Sequence, residues 1–233
     1  NVTRRNFLAG SAIAAGSALS LAACGGSGSG DAVASDSGKT LKIGVVQLTE
    51  HAALDASNDG FVEALNNSGL KVSIDQQNAQ NDQSACQTIA SKFVGDGVDL
   101  IYAIATPAAQ AAAAATADIP IVGCAITDYA ASGLVKDNSK PGTNVTGASD
   151  LTPVAEQLQM MQKVLPNVKK VGLLYCSAES NSDVQIKAAK DELDAIGIAY
   201  DEYAVSSSNE IQSVVESAVG KVDALYAPTD NTI

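Results

Sequence analysis

From residue 41 onward the chain alternates short, continuously apolar runs with longer stretches in which apolar residues recur every three or four positions. That alternation predicts strands followed by amphipathic helices. Residues 41–48 read as a buried strand. Residues 52–67 follow as a helix with Leu54, Phe61, Val62 and Leu65 on one face, stopping at Ser68-Gly69. A strand at 72–77 precedes a helix at 82–95 that turns Ile89, Phe93 and Val94 inward. A third strand is expected at 100–105, an alanine-rich helix at 107–117, a fourth strand at 119–126 and a short fifth at 145–148.

The pattern then restarts. A helix is expected over 152–165, with Thr152 as N-cap and Pro153 at the first helical position, where its missing N–H costs nothing. A strand at 171–176, a helix at 182–196 closed by Gly197, a strand at 199–205, a helix at 209–219 and a strand at 224–227 follow. Repeated βα units with short loops imply an α/β fold with parallel, doubly wound sheets and right-handed crossovers. Two such runs imply two Rossmann-like lobes, 40–148 and 149–233. The second run ends just after a strand, where a helix should begin, so the expectation is that its lobe is incomplete and that a C-terminal part is missing from this sequence.

The first 39 residues have a different character. Arg4 and Arg5 precede an apolar stretch, mostly Ala, Gly and Ser around Leu, that ends Leu21-Ala22-Ala23-Cys24. Positive, apolar, small, cysteine is the order of a bacterial lipoprotein export signal over residues 1–23. Cys24 would then carry the lipid and hold the exported protein at the outer face of the cell membrane. Arg4-Arg5-Asn6-Phe7-Leu8 also resembles a twin-arginine signal, although two arginines equally suit an ordinary positive leader. Residues 24–39, rich in Gly, Ser, Ala and Asp, would form a flexible tether.

Charge narrows the partners. The only arginines are Arg4 and Arg5, which leaves 12 lysines against 26 acids in the rest of the chain. So acidic a surface argues against nucleic acid. Cys86, Cys124 and Cys176 are odd in number and lack CxxC spacing, so they read as buried thiols rather than a disulfide framework or metal site. There is no GxSxG, no P-loop and no GxGxxG after the first strand, and His51 is the only histidine. Nothing here assembles an enzyme's nucleophile and base, and no cofactor is called for.

In doubly wound folds, ligands meet the loops at the carboxyl ends of the strands. Those loops carry Thr49, Glu50 and His51; Thr106 and Pro107; Thr127 and Asp128; Ser149 and Asp150; Ser177, Glu179, Ser180, Asn181 and Ser182; and Thr229, Asp230 and Asn231. With two lobes facing each other they would line a cleft for a small polar or zwitterionic ligand. The same residue types are the usual helix caps, and either role is open to each of them. His51 could wall the cleft or simply face water from the first turn of its helix. Tyr129 is the ring best placed to stack on an aromatic ligand, or else a surface residue of its loop.

Five segments carry a more specific likeness: Gln47-Leu48-Thr49-Glu50-His51-Ala52-Ala53-Leu54-Asp55, Ala103-Ile104-Ala105-Thr106-Pro107-Ala108-Ala109-Gln110, Ala125-Ile126-Thr127-Asp128, residues 141–150 and Pro228-Thr229-Asp230-Asn231-Thr232. They resemble, in order, the motifs of ABC-transporter substrate-binding lipoproteins of the tryptophan/tyrosine-binding type. The resemblance covers the chain from residue 41 to its end. It implies a type I periplasmic-binding-protein fold, with a ligand gripped between two hinged lobes, and an ABC permease and ATPase as partners. It also implies that roughly the last third of the family's folded domain is absent here. Ala52 departs from the proline common after the histidine, which leaves that loop more mobile.

An amino acid presents a carboxylate and an ammonium. Without arginine, the carboxylate would be held by hydroxyls and helix N-termini, at Thr106 and at Ser180 to Ser182. Asp128, Asp150, Glu179 and Asp230 are the candidates for the ammonium. A sensor lipoprotein of the same fold, or an importer component for another small polar ligand, would present the same loops.

Overall fold

The computed structural model describes residues 39–233. The export signal 1–23, Cys24 and almost all of the tether lie outside the described residues.

Five parallel strands form the first sheet in the order β2-β1-β3-β4-β5. They are β1 (Leu41–Gln47), β2 (Val72–Asn78), β3 (Leu100–Ile104), β4 (Ile121–Ile126) and β5 (Val145–Ser149), with helices α1 (Ala52–Asn67), α2 (Gln83–Asp96) and α3 (Thr106–Ala115) crossing between the first four. β1 and β3 read as continuous apolar runs because they are central strands covered on both faces. Val45, Val46, Ile101, Ala103 and Ile104 are fully buried. Gly44 lets α2 lie flat on the sheet: a Cβ there would fall 2.6 Å from the Phe93 ring, itself wholly buried. Losing that ring should cost about 3–5 kcal/mol. On α1, Phe61 stacks on Tyr102 with centroids 3.8 Å apart.

The second sheet has three parallel strands in the order β7-β6-β8. These are β6 (Lys170–Cys176), β7 (Ala199–Val205) and β8 (Ala224–Tyr226), with helices α4 (Val154–Val164), α5 (Ser180–Ile196) and α6 (Ile211–Ala218). Leu158, Val171, Leu173, Ile186, Ala189 and Leu193 form its main core, and Leu174, Cys176 and Val205 pack on the opposite face. Gly197 ends α5 in the left-handed conformation, its N–H reaching the Leu193 and Asp194 carbonyls, as a glycine C-cap should.

Four expectations need correction. α4 begins at Val154, so Pro153 occupies the N-cap and Thr152 does not. Thr152 instead points its hydroxyl to Gln185 Oε1, 3.2 Å away. α5 begins at Ser180, two residues early, which puts Ser180, Asn181 and Ser182 in its first turn rather than in the loop before it. Val94 is exposed on α2, because Cys86, Ala90 and Phe93 already fill the inward stripe. Residues 208–210 form a separate 3-10 turn, and the helix proper starts only at Ile211.

In the first sheet the order in which strands are added reverses between β1 and β3, which pair in parallel while β2 is added on one side of β1 and β4 and β5 on the far side of β3. A crevice at the carboxyl ends of the strands is expected at such a switch point.

Candidate functional site

A cavity of about 220 Å3 opens there, walled on one side by Leu48, Asn81, Gln83 and Pro107 and on the other by Cys176, Ala178, Glu179, Ser206 and Thr232. The first group follows strands of the first sheet and the second belongs to the second sheet and its loops, so this is the cleft between the lobes. Its lining holds one carboxylate, Glu179, and no lysine, arginine or histidine.

The first-lobe wall is built around the start of α3. Ala105 precedes the helix with φ 81° and ψ 152°, a region almost reserved for glycine, and no side chain caps the helix. Such strain costs about 1–3 kcal/mol and persists only where the surroundings impose it. Ala105 is wholly buried and its N–H is bonded to the Cys124 carbonyl on β4. The consequence is a helix N-terminus with unsatisfied N–H groups facing the switch point. Thr106, only 1 % exposed, adds a hydroxyl with no hydrogen-bond partner. Buried polar atoms are rarely left so.

The second-lobe wall is the reverse, a network in which donors and acceptors are matched. Glu179 accepts from Asn181 Nδ2 (3.0 Å), from the Asn231 N–H and Nδ2 (3.1 and 2.6 Å) and from the Thr232 hydroxyl (2.7 Å). Asp230 accepts from the Cys176 N–H (2.8 Å), the Ser182 hydroxyl (2.7 Å) and the N–H groups of Thr232 and Ile233. Gln185, fully buried, both donates to the Thr229 carbonyl and accepts from its N–H at 3.1 Å. Together Glu179, Ser182, Gln185 and Asp230 fasten the segment after β8 onto the start of α5. Only Asn181 keeps an unspent atom, its buried Oδ1.

The remaining sequence candidates disperse. His51 caps α1, its Nδ1 accepting the Ala53 N–H at 3.2 Å, which requires that nitrogen to be unprotonated. Thr49 offers its carbonyl to Gln47, and Glu50 lines a separate polar hollow with Gln47, Asp55 and Asn58. Asp128 is held below the ordinary carboxylate range by the Ala131 N–H and the Asn138 amide that it accepts. Ser149 donates to the Thr127 carbonyl, and Ser177 to the Val205 carbonyl. Tyr129 is buried with its hydroxyl on the carbonyls of Gly123 and Ala148, pinning β4 to β5 instead of offering a stacking face. Asp150 is different: burial pushes its carboxyl up, partly offset by a hydrogen bond from Thr127, and its Oδ1 has no partner.

Of the sequence candidates, then, Pro107 and Glu179 line the cavity itself, and Thr106, Asp150 and Asn181 carry buried atoms without partners. Residues the sequence reading passed over also line it: Asn81 and Gln83 after β2, Ser206 after β7, and Thr232. The strand-end rule that found the other loops points to the loops after β2 and β7 as well. Gln185 carried no such signal, since nothing in a helix sequence says that a glutamine faces inward. Among the described residues no three His, Cys, Asp or Glu side chains are grouped to hold a metal, and Cys86, Cys124 and Cys176 are free. Cys124 is only partly buried.

Comparison with known proteins follows the same lines. The family model for ABC transporter substrate binding proteins matches residues 42–233. A tyrosine-binding protein of Clostridioides difficile (strain R20291) is 46% identical over 202 residues, which are 85% of this chain and 59% of that protein, so the chain spans well under two thirds of that relative. The crystal structure of an ABC domain from Streptococcus pneumonia in complex with L-Trp matches with a TM-score of 0.80 at 43% identity, over 84% of this chain and 67% of that one. The ligand-free, open structure of a Clostridium difficile substrate binding protein with adhesive properties is 48% identical over 82% of this chain and 66% of that one, yet superposes with a TM-score of only 0.60. The described residues thus superpose better on the L-Trp complex than on the open form. Two parallel sheets meeting at a cleft are the type I periplasmic-binding architecture, which these relatives share. The chain belongs to the ABC transporter substrate-binding protein family.

Proposed function

We propose that the protein is the extracytoplasmic binding component of an ABC importer. It captures an aromatic amino acid, tryptophan or tyrosine, between lobes 40–148 and 149–233 and delivers it to a membrane permease driven by an ATPase. Lipid on Cys24 keeps it at the outer face of the membrane. Among the described residues no helix is long and apolar enough to cross a membrane.

One observation carries the ligand chemistry. Among the described residues five buried side-chain atoms lack partners, and three of them belong to the strand-end loops and helix starts: Thr106 Oγ1, Asp150 Oδ1 and Asn181 Oδ1. The first can donate and sits at an uncapped helix N-terminus, which suits a carboxylate. The other two accept, which suits an ammonium. One donor site and two acceptor sites, with no cation lining the cavity, match a zwitterion better than an anion. The tyrosine-binding relative and the L-Trp complex support an aromatic side chain on that zwitterion.

The test is calorimetry and thermal shift on the mature full-length protein with L-tryptophan, L-tyrosine, L-glutamate and L-lysine. A ligand at 100 times its Kd should stabilise by about 2.7 kcal/mol. A response to tryptophan or tyrosine and none to glutamate is expected; a response to glutamate alone would overturn the zwitterion reading. For the anchor, Cys24→Ala should release a soluble or unprocessed form, and normal membrane retention of that variant would remove the lipid from the proposal.

A further inference from the structure

Among the described residues three side-chain hydrogen bonds cross the cleft, and two of them start from the short β2–α2 connection and the first residue of α2. Asn81 Nδ2 donates to the Thr232 hydroxyl at 3.3 Å and Gln83 Nε2 to the Ala178 carbonyl at 2.9 Å. The third runs from Ser180 to Gln110 at 3.4 Å. The loop between β2 and α2 is held in an uncommon shape to make the first two. Gln80 and Asn81 are consecutive non-glycine residues in the left-handed region, with φ 56° and 62°. Side chains rarely adopt that region twice in succession.

That shape is fixed from the first lobe alone. The Ala79 and Asn81 N–H groups bond to the Gln47 and Leu48 carbonyls at 2.8 Å, and the Gln80 N–H bonds to Asn78 Oδ1. Asp82 caps α2 through the Ser84 and Ala85 N–H groups, which leaves Gln83 as the first helical residue with its side chain free. The loop is thus rigidly mounted on the end of β1 and presents two amide donors to the opposite lobe. Their acceptors are well chosen: the Thr232 hydroxyl, while accepting from Asn81, donates its own O–H to Glu179, at the centre of the matched second-lobe network. All five residues line the cavity.

We propose that Asn81 and Gln83 are a closure latch: positioning residues that hold the two lobes together over the ligand and set how long it stays, rather than groups that recognise it. Nothing in the ligand chemistry above uses them, and the pair they form reaches the other lobe directly. The inference rests on the two-lobe capture reading only for its effect on ligand; closure itself is measurable without one.

The experiment uses the full-length protein with Gln83→Glu, Gln83→Lys, Asn81→Ala and Asn81→Ala/Gln83→Glu. Gln83 is exposed, so these changes leave the core untouched. Gln83→Glu keeps the shape but removes the donor and sets a carboxylate against the Ala178 carbonyl; Gln83→Lys keeps a donor. Small-angle scattering without ligand should show a larger radius of gyration for Gln83→Glu and the double variant, and an unchanged one for Gln83→Lys. With L-tryptophan as probe, stopped-flow dissociation should be about tenfold faster in the double variant, the loss of two modest hydrogen bonds. Unchanged scattering in every variant would overturn the latch. So would unchanged scattering joined to altered preference between tryptophan and tyrosine, which would make these residues ligand contacts. If the parent binds neither amino acid, the ligand reading fails while the scattering result still decides the latch.

Discussion

The two walls of the cleft hold similar residue types and use them in opposite ways. At the start of α3 the first lobe keeps a strained Ala105, uncapped N–H groups and a Thr106 hydroxyl with no partner. Across from it, Glu179, Ser182, Gln185 and Asp230 have their capacity taken up by their own chain. A polar group already matched inside a protein contributes to stability, whereas an unmatched buried one costs stability and is free to gain from a ligand. We infer from the difference that the first lobe holds the poised half of the proposed site and the second lobe the scaffold half, with Asn181 Oδ1 as its unspent exception.

The strongest way to break this comparison is at Asp230. Asp230→Ala removes the acceptor of four donors, two of them at buried Cys176 and Ser182. We expect unfolding of the second lobe to become easier by about 3 kcal/mol, read from urea denaturation. If that variant keeps full stability and loses only ligand binding, Asp230 is a ligand group and the scaffold assignment is wrong.

Thr106→Val sharpens the other side, because its two effects have opposite signs. The swap preserves shape and deletes an unpartnered buried hydroxyl, so the ligand-free protein should gain about 1 kcal/mol. Affinity for the probe amino acid should fall about tenfold, a loss of about 1.4 kcal/mol. A loss of stability together with unchanged affinity would mean that the hydroxyl is matched after all. Ala105→Gly belongs beside it. Glycine adopts φ 81° freely, so relief of strain less the added chain entropy should stabilise by about 0.5–1 kcal/mol in thermal unfolding; destabilisation would show that Ala105 is not strained.

Much of this architecture was legible from periodicity. The boundaries 52–67 and 199–205 agree with α1 and β7 to the residue, since both are flanked by sharp changes of pattern. The misplacements share a cause: Thr152, Asn181 and Ser182 are capping residue types whose side chains answer to tertiary partners, Gln185 and the segment after β8, that lie far off in sequence. The strand-end rule located the right rim of the fold, but residue type could not separate Thr106, which is unpartnered, from Asp230, which is saturated. Tyr129 failed in a similar way, because its hydroxyl finds the backbone of β4 and β5 rather than the cleft. Strain at Ala105 and in the loop at Gln80 and Asn81 left no mark in the sequence, both being ordinary residues forced by their surroundings.

The smallest expected effect is a pH dependence at Asp150, and its sign separates the two kinds of wall. Burial raises the folded-state pKa of this carboxyl above its ordinary value, with Thr127 opposing. A group raised in this way stabilises fully below the unfolded value and loses that contribution as pH climbs through the folded one. Asp150→Asn, which carries no charge at any pH, should therefore match the parent near pH 3 and exceed it at pH 7. Because the residue is only partly buried, solvent screening keeps the difference under about 1 kcal/mol. Saturating ligand should reverse the order at pH 7, since an ammonium beside Asp150 favours the charged carboxylate that asparagine lacks. Parallel stability curves for Asp150→Asn and parent from pH 3 to 7, with and without ligand, would place Asp150 among the scaffold residues and leave Asn181 as the ammonium's acceptor.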